Sequence, residues 1–206
     1  MKFYLKIALV LITFNTVSAF SQSFKGGLLA GMVASQVDGD MFAGYNKPGT
    51  QFGGFVNIQF GTKIGGQAEL KFIQKGSREI SRNEMGDYAA YYKLSLNYIE
   101  MPFLFTVLIK KKMKFEVGSG FAYLAKALED TDGYGWYTPE PSFNNIEIPF
   151  IIGYNFALGK KLIANFRYSY SMTPIRNHPG NQTYWNDRGQ YNNLISFALY
   201  YKFKDE

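Results

Sequence analysis

Leu162-Ile163-Ala164-Asn165-Phe166-Arg167-Tyr168-Ser169-Tyr170-Ser171 alternates without a break. Leu162, Ala164, Phe166, Tyr168 and Tyr170 fall on one face, and Ile163, Asn165, Arg167, Ser169 and Ser171 on the other. Successive side chains of a strand point to opposite faces, so this period of two reads as a β-strand with one apolar and one largely polar face. The same pattern recurs along the chain. Ala68, Leu70 and Phe72 oppose Gln67, Glu69 and Lys71. Ile146, Ile148, Phe150, Ile152 and Tyr154 oppose Asn145, Glu147 and Asn155, and Ile195, Phe197, Leu199, Tyr201 and Phe203 oppose Ser196, Ala198 and Lys202. This periodicity predicts eight strands, near residues 23–34, 50–60, 64–76, 91–108, 113–126, 144–157, 161–172 and 191–203.

The connections decide between a soluble and a membrane sheet. Gly61-Thr62-Lys63, Lys110-Lys111-Lys112 and Leu158-Gly159-Lys160 are tight turns. Between them lie long polar stretches, at 35–49, 77–90, 127–143 and 173–190. Short and long connections alternate strictly, as the periplasmic turns and outer loops of membrane barrels do. Both ends of the mature chain then lie on the short-turn side, which requires an even strand number. The most apolar run, Met101 to Ile109, contains Pro102 and stops at Lys110, too short for the ~20 residues of a spanning helix. Sixteen Tyr, nineteen Phe and 21 Gly suit a β wall with one face in lipid. The expected fold is therefore an eight-stranded antiparallel up-and-down transmembrane β-barrel, with its apolar face outward.

That placement turns the polar face inward. Glu69, Lys71, Lys93, Glu100, Glu116, Glu147, Arg167 and Lys202 would meet in a lumen narrow enough for side chains to fill. Buried charges of both signs are expected to pair, since an unpaired one is costly. The fourth strand resists a single phase. Leu94 and Leu96 are assigned to lipid, yet Glu100 belongs inside and Phe103 outside. A β-bulge between Asn97 and Ile99 would reconcile its two halves.

Residues 1–21 read as a cleaved secretory signal, leaving 22–206 as one barrel domain. Lys2 and Lys6 precede a short apolar core from Ile7 to Phe14, and Ala19-Phe20-Ser21 offers small residues for cleavage after Ser21. Removal leaves 20 basic against 16 acidic residues, a formal charge of +4 that is too mild and scattered for nucleic acid. The absence of cysteine means that no disulfide braces the exported chain.

Other chemistry is thin. His178, the only histidine, sits in the turn sequence Asn177-His178-Pro179-Gly180 with no partner indicated. Asp130-Thr131-Asp132-Gly133 lacks the rest of a calcium loop, and Asp38 and Asp40 read as solvated loop acids. Gly26-Gly27, Gly53-Gly54 and Gly65-Gly66 lie within strands, where glycine permits close packing in a narrow barrel. Lys110-Lys111-Lys112 reads as a solvated turn or as a contact to inner-leaflet phosphates. The long loops concentrate Tyr134, Trp136, Tyr137, Tyr184 and Trp185, which are candidate binding aromatics or, equally, a cap over the barrel. No catalytic residue, metal site or cofactor is expected.

Two segments repeat a motif. Asn97-Tyr98-Ile99-Glu100-Met101-Pro102-Phe103 parallels Asn144-Asn145-Ile146-Glu147-Ile148-Pro149-Phe150, each placing Pro two residues after Glu within a strand. With Glu69-Leu70-Lys71-Phe72-Ile73-Gln74-Lys75-Gly76 and Arg167-Tyr168-Ser169-Tyr170-Ser171-Met172-Thr173-Pro174-Ile175, this resembles the outer-membrane β-barrel domain family of Bacteroidetes, called porin-like or PorT-like. The resemblance covers essentially the whole mature chain. It implies an eight-stranded barrel in the outer membrane of a Gram-negative bacterium and no defined activity. The PorT protein is linked to protein secretion, but nothing here singles out that member. Tyr201-Lys202-Phe203 resembles the signal read by barrel-assembly machinery, although Lys204-Asp205-Glu206 follow it.

The expected partners are outer-membrane lipid, the assembly machinery during biogenesis, and an unidentified surface or secretion partner. The expected role is structural or surface-interacting, through the outer loops and without catalysis. The alternative is a narrow porin-like channel for small solutes. A lipid-modifying enzyme using His178 and a soluble lipocalin-like barrel are the further readings.

Overall fold

The computed structural model describes residues 24–177 and 189–203. Nine β elements follow one another in the chain: β1 (Lys25–Asp38), β2 (Lys47–Gln59), β3 (Ile64–Arg82), β4 (Tyr88–Lys110), β5 (Met113–Asp130), β6 (Ile146–Glu147), β7 (Pro149–Ala157), β8 (Leu162–Ser171) and β9 (Tyr191–Lys202). β6 and β7 are two pieces of one stave, both paired with β5. Pro149 has no backbone N–H to donate, and the stave breaks just before it. The Ile148 amide turns instead to the Thr173 hydroxyl, at 3.1 Å. Every neighbouring pair is antiparallel, and β1 pairs with both β2 and β9. The sheet thus closes on itself as a ring of eight staves without a free long edge at the seam.

The short connections form one end. The Phe60 and Leu158 amides close tight turns onto the carbonyls of Ile64 and Leu162, and Lys111-Lys112 joins β4 to β5. The opposite end carries connections 39–46, 83–87, 131–145 and 172–190.

One expected loop, 77–90, is mostly strand, and another, 127–143, is shortened by its flanking strand. Residues 77–82 continue β3, 88–90 begin β4, and 127–130 continue β5. Arg78 pairs with Lys93, which in turn pairs with Asp130 across the next strand gap. Polar composition there suggested a loop. Beyond the bilayer, however, the outer face of a strand meets water and has no reason to be apolar.

The fourth strand needs a second correction. β4 keeps one regular register against β3 from Tyr91 to Glu100, so no bulge lies between Asn97 and Ile99. Leu94 and Leu96 point inward and are fully buried, in phase with Tyr98 and Glu100. The irregularity falls on the neighbouring strand. Asn97 pairs with Lys126 and Tyr98 with Leu124, leaving Ala125 as the extra residue of β5. What changes along β4 is its surroundings rather than its phase. Ile99, Met101, Phe103 and Phe105 face outward at membrane depth, whereas above them the apolar side chains face in.

Candidate functional site

The lumen at membrane depth holds a chain of charges of alternating sign. It begins at Glu116 on β5. Asn165 Nδ2 donates to its Oε1 at 2.8 Å, and Asn155 Nδ2 and the Arg167 Nε also reach its carboxylate. Arg167 on β8 then grips Glu69 on β3 with both ends of its fork, Nη1 to Oε2 at 2.8 Å and Nη2 to Oε1 at 2.7 Å. This planar, two-pronged geometry suits a guanidinium and not an ammonium. Tyr200 and Gln67 also donate to Glu69. Lys71 stands 3.8 Å from Glu69 and 3.1 Å from Glu100 on β4. Lys75 joins Glu100, at 2.8 Å, to Glu147 on β6, at 3.0 Å. Ser171 and Asn192 finish Glu147 at 2.6 and 2.8 Å.

All seven groups are buried. Four carboxylates face three cations, and hydroxyl and amide donors supply further bonds to Glu69, Glu116 and Glu147, whereas Glu100 rests on Lys71 and Lys75 alone. Gly153 makes room for the tightest contact. A Cβ there would lie 2.8 Å from Arg167 Cγ and 2.9 Å from Glu116 Oε1.

Six of the eight residues assigned to the interior from sequence therefore meet in one chain: Glu69, Lys71, Glu100, Glu116, Glu147 and Arg167. Lys202 is buried too, but at the turn end. Lys93 does not belong to the interior. It lies on the outer face of β4, with its Nζ on the Tyr91 hydroxyl and 4.7 Å from the Tyr91 ring centre. Its neighbours Tyr92 and Leu94 take the inward positions, so alternation forces Lys93 out. Lys75, a further member of the chain, shares a face with Glu69 and Lys71 by simple parity.

Above this network the lumen is apolar. Val33, Leu94, Leu96 and Leu194 cluster there, continuous with Ile73 and Tyr98 beside the network, and Phe143 and Ile175 come down onto them from the loops. A second buried ion pair closes the mouth. Arg176 Nη2 meets Glu129 Oε1 at 3.0 Å, and its guanidinium lies 4.1 Å over the Phe143 ring. Tyr92 and Gln190 complete this group through Glu129 and Arg176. Neither Glu129 nor Arg176 stood out in the sequence, because both fall in stretches read as loop.

The loop residues divide. Tyr134 is 95% exposed, Trp136 49% and Tyr137 41%. Tyr137 pairs its backbone with Glu129, which anchors the base of the loop beside the mouth. Tyr184, Trp185 and His178 lie outside the described residues. Asp130 and Asp132 accept the Gly133 and Tyr134 amides, as turn-capping carboxylates do. Among the described residues no group of three or more His, Cys, Asp or Glu could hold a metal ion. Asp40 is buried in its loop, and burial raises its pKa above the usual carboxylate value although the Phe42 amide donates to its Oδ1 at 2.9 Å.

In three dimensions the chain is similar to Neisserial surface protein A, with a TM-score of 0.53 at 9% identity, covering 86% of this chain and 97% of that one. It is similar as well to the attachment invasion locus protein Ail of Yersinia pestis, with a TM-score of 0.49 at 14% identity over 87% and 98%. For the outer membrane protein OprG of Pseudomonas aeruginosa the TM-score is 0.34 at 11% identity, over 87% and 94%. At such identities the likeness concerns the fold alone. No curated protein matches the chain in sequence. Residues 15–177 match the outer membrane protein beta-barrel domain, so this chain belongs to that family and its barrel lies in the outer membrane of a Gram-negative bacterium, with its apolar wall in lipid.

Proposed function

We propose that the barrel is a closed scaffold that works at the cell surface through its outer loops and carries no catalysis. The observation that carries this reading is the filling of the lumen. Large side chains fill its middle and upper levels, with Arg167, Tyr200, Ile73 and Lys75 at the network and Leu94 and Leu96 beside and above them, all fully buried. A solute path would have to break buried ion pairs first. The loop end remains as the working surface, and Tyr134, Trp136 and Tyr137 are its exposed aromatics, the residue types that anchor binding interfaces. Tyr184 and Trp185 join them in this proposal by their place in the last loop.

Residues 1–21 serve as the export signal in this reading. Barrel-assembly machinery reads the exposed Tyr201 of the last strand and Phe203 just after it. The PorT-like, Bacteroidetes-type assignment rests on the repeated Glu-x-Pro motif. Its prolines lie in register with Gly120 on β5 and Ser171 on β8, and both face the lumen beside their glutamates. A surface or secretion partner would meet the loops.

The test is conductance of the purified barrel in planar bilayers. The expected result is no stable single-channel step, and reproducible steps would establish the narrow porin-like channel instead. Labelling of intact cells checks the orientation. The chain has no native cysteine, so Tyr134→Cys should react with an impermeant maleimide while Lys111→Cys stays protected.

A further inference from the structure

The charges outside the network are distributed unevenly. Among the described residues, the turn end (24–27, 57–66, 106–115, 155–163 and 200–203) holds nine lysines and no acid. The loop end (38–47, 78–93, 126–145 and 172–177) holds nine acids and six bases. Solubility alone would not segregate the signs in this way.

The turn-end lysines also enclose a space. A cavity of about 420 Å³ lies there, and its wall includes Lys25, Lys63, Lys111, Lys112, Lys114 and Lys202. Its other lining is neutral, with Asn57, Gln59, Thr106 and Asn155 offering polar groups. Asn155 forms the boundary with the network above. Its amide nitrogen donates to Glu116 and its oxygen accepts from Asn165, so Glu116 is satisfied within the network. Lys114 and Lys202 are engaged in interactions of their own. Lys25, Lys63, Lys111 and Lys112 have no ion-pair partner among the described residues and line the entrance. Gly65 lets the wall pack closely there, since a Cβ would sit 2.8 Å from the Ile58 carbonyl oxygen and 3.1 Å from Thr106 Oγ1.

We propose that this vestibule binds a soluble, multiply charged, phosphate-bearing anion from the periplasmic side. A cleft lined by one sign of charge with low-dielectric walls concentrates counter-ions. Several ammonium groups around a small volume favour a ligand of high charge density. A phosphate group carries nearly two charges at neutral pH where a carboxylate carries one. Lysine is suited to it as a mobile point charge, with Asn and Thr side chains adding hydrogen bonds. The turn end faces the periplasm in a barrel of this topology. Axial access from that compartment fits a soluble anion better than a lipid headgroup, which approaches from the side.

The experiment is calorimetric titration of the full barrel, in phosphatidylcholine nanodiscs, with inorganic tripolyphosphate. One-to-one saturable binding is expected. The triple substitution Lys63→Gln, Lys111→Gln, Lys112→Gln should weaken it roughly tenfold or more, and Lys160→Gln with Lys161→Gln, at the same end but outside the cavity wall, less than about twofold. Heat-dependent mobility in SDS verifies that each variant folds. Lys111→Gln alone, with a loss of about two- to threefold, decides the matter should the triple variant not fold. Absence of saturable binding, or equal weakening by the two lysine sets, would overturn the proposal. Loss of tripolyphosphate binding when a third of the lipid is replaced by phosphatidylglycerol would overturn the soluble ligand in favour of a headgroup.

Discussion

The lower and upper halves of this barrel are built from the same strands in the same phase, yet their chemistry is inverted. At membrane depth the outer face is apolar, with Leu70, Phe103, Phe121 and Phe197 exposed, and the lumen is held by charge. Above it the outer face carries Gln36, Asp38, Arg78 and Lys93, and the lumen is held by Val33, Leu94, Leu96 and Leu194. The difference follows from the solvent outside. In lipid, apolar burial gains little because the surroundings are already apolar, so cohesion has to come from hydrogen bonds and ion pairs. Where the wall meets water, the hydrophobic effect acts as it does in a soluble domain. The inversion also explains why β4 changes its apolar face near residue 97 without any change in its own alternation.

The largest expected effect is in the lower half. Arg167→Ala strands both Glu69 and Glu116 and should cost about 3–5 kcal/mol, read as a lower urea midpoint for unfolding from lipid vesicles. Replacing the three together, as Glu69→Gln, Arg167→Met and Glu116→Gln, should recover most of that loss, because no uncompensated charge remains. A triple variant as weak as Arg167→Ala would show that the ions are more than mutual compensation.

Next comes a pair of leucines chosen across the divide. Leu94→Ala empties space in a protein-lined core and should cost about 2–4 kcal/mol. Leu70→Ala faces lipid, which fills the vacated space, so it forfeits only the transfer from water and should cost less than Leu94→Ala, about 1–2 kcal/mol, in the same unfolding measurement. Equal losses at the two sites would break the comparison. A smaller change is expected from Gly153→Ala, whose added methyl crowds Arg167 and Glu116, at about 1–3 kcal/mol.

The smallest effect is at the mouth and depends on pH. The pKa of Asp40 is raised in the folded protein, so the folded state holds its proton more tightly than the unfolded chain. Its contribution is least unfavourable below the unfolded pKa, and stability declines as pH rises through the folded value. Asp40→Asn should therefore raise the unfolding midpoint slightly at neutral pH and leave it unchanged near pH 3. A gain of equal size at both pH values would exclude burial of the carboxylate as the cause.

Much of this was legible in the chain. The alternation of Leu162–Ser171 and of residues 67–72, 145–155 and 195–203 determined strand type, because a pleated strand sends successive side chains to opposite faces, and the alternation of short and long connections determined the outward apolar face and the even strand number. The alternating stretches also hold four members of the ion chain, Glu69, Lys71, Glu147 and Arg167, and Glu100 and Glu116 were named from the neighbouring strands. The upper half was not legible, because an apolar–polar pattern carries no mark of which face is inside. Leu94, Leu96 and Lys93 took their places only once the strands were seen to run beyond the bilayer. The order in which Glu116, Arg167, Glu69, Lys71, Glu100, Lys75 and Glu147 join was likewise a tertiary matter. Strand register and barrel closure set those distances, bringing together residues up to 98 positions apart in the chain.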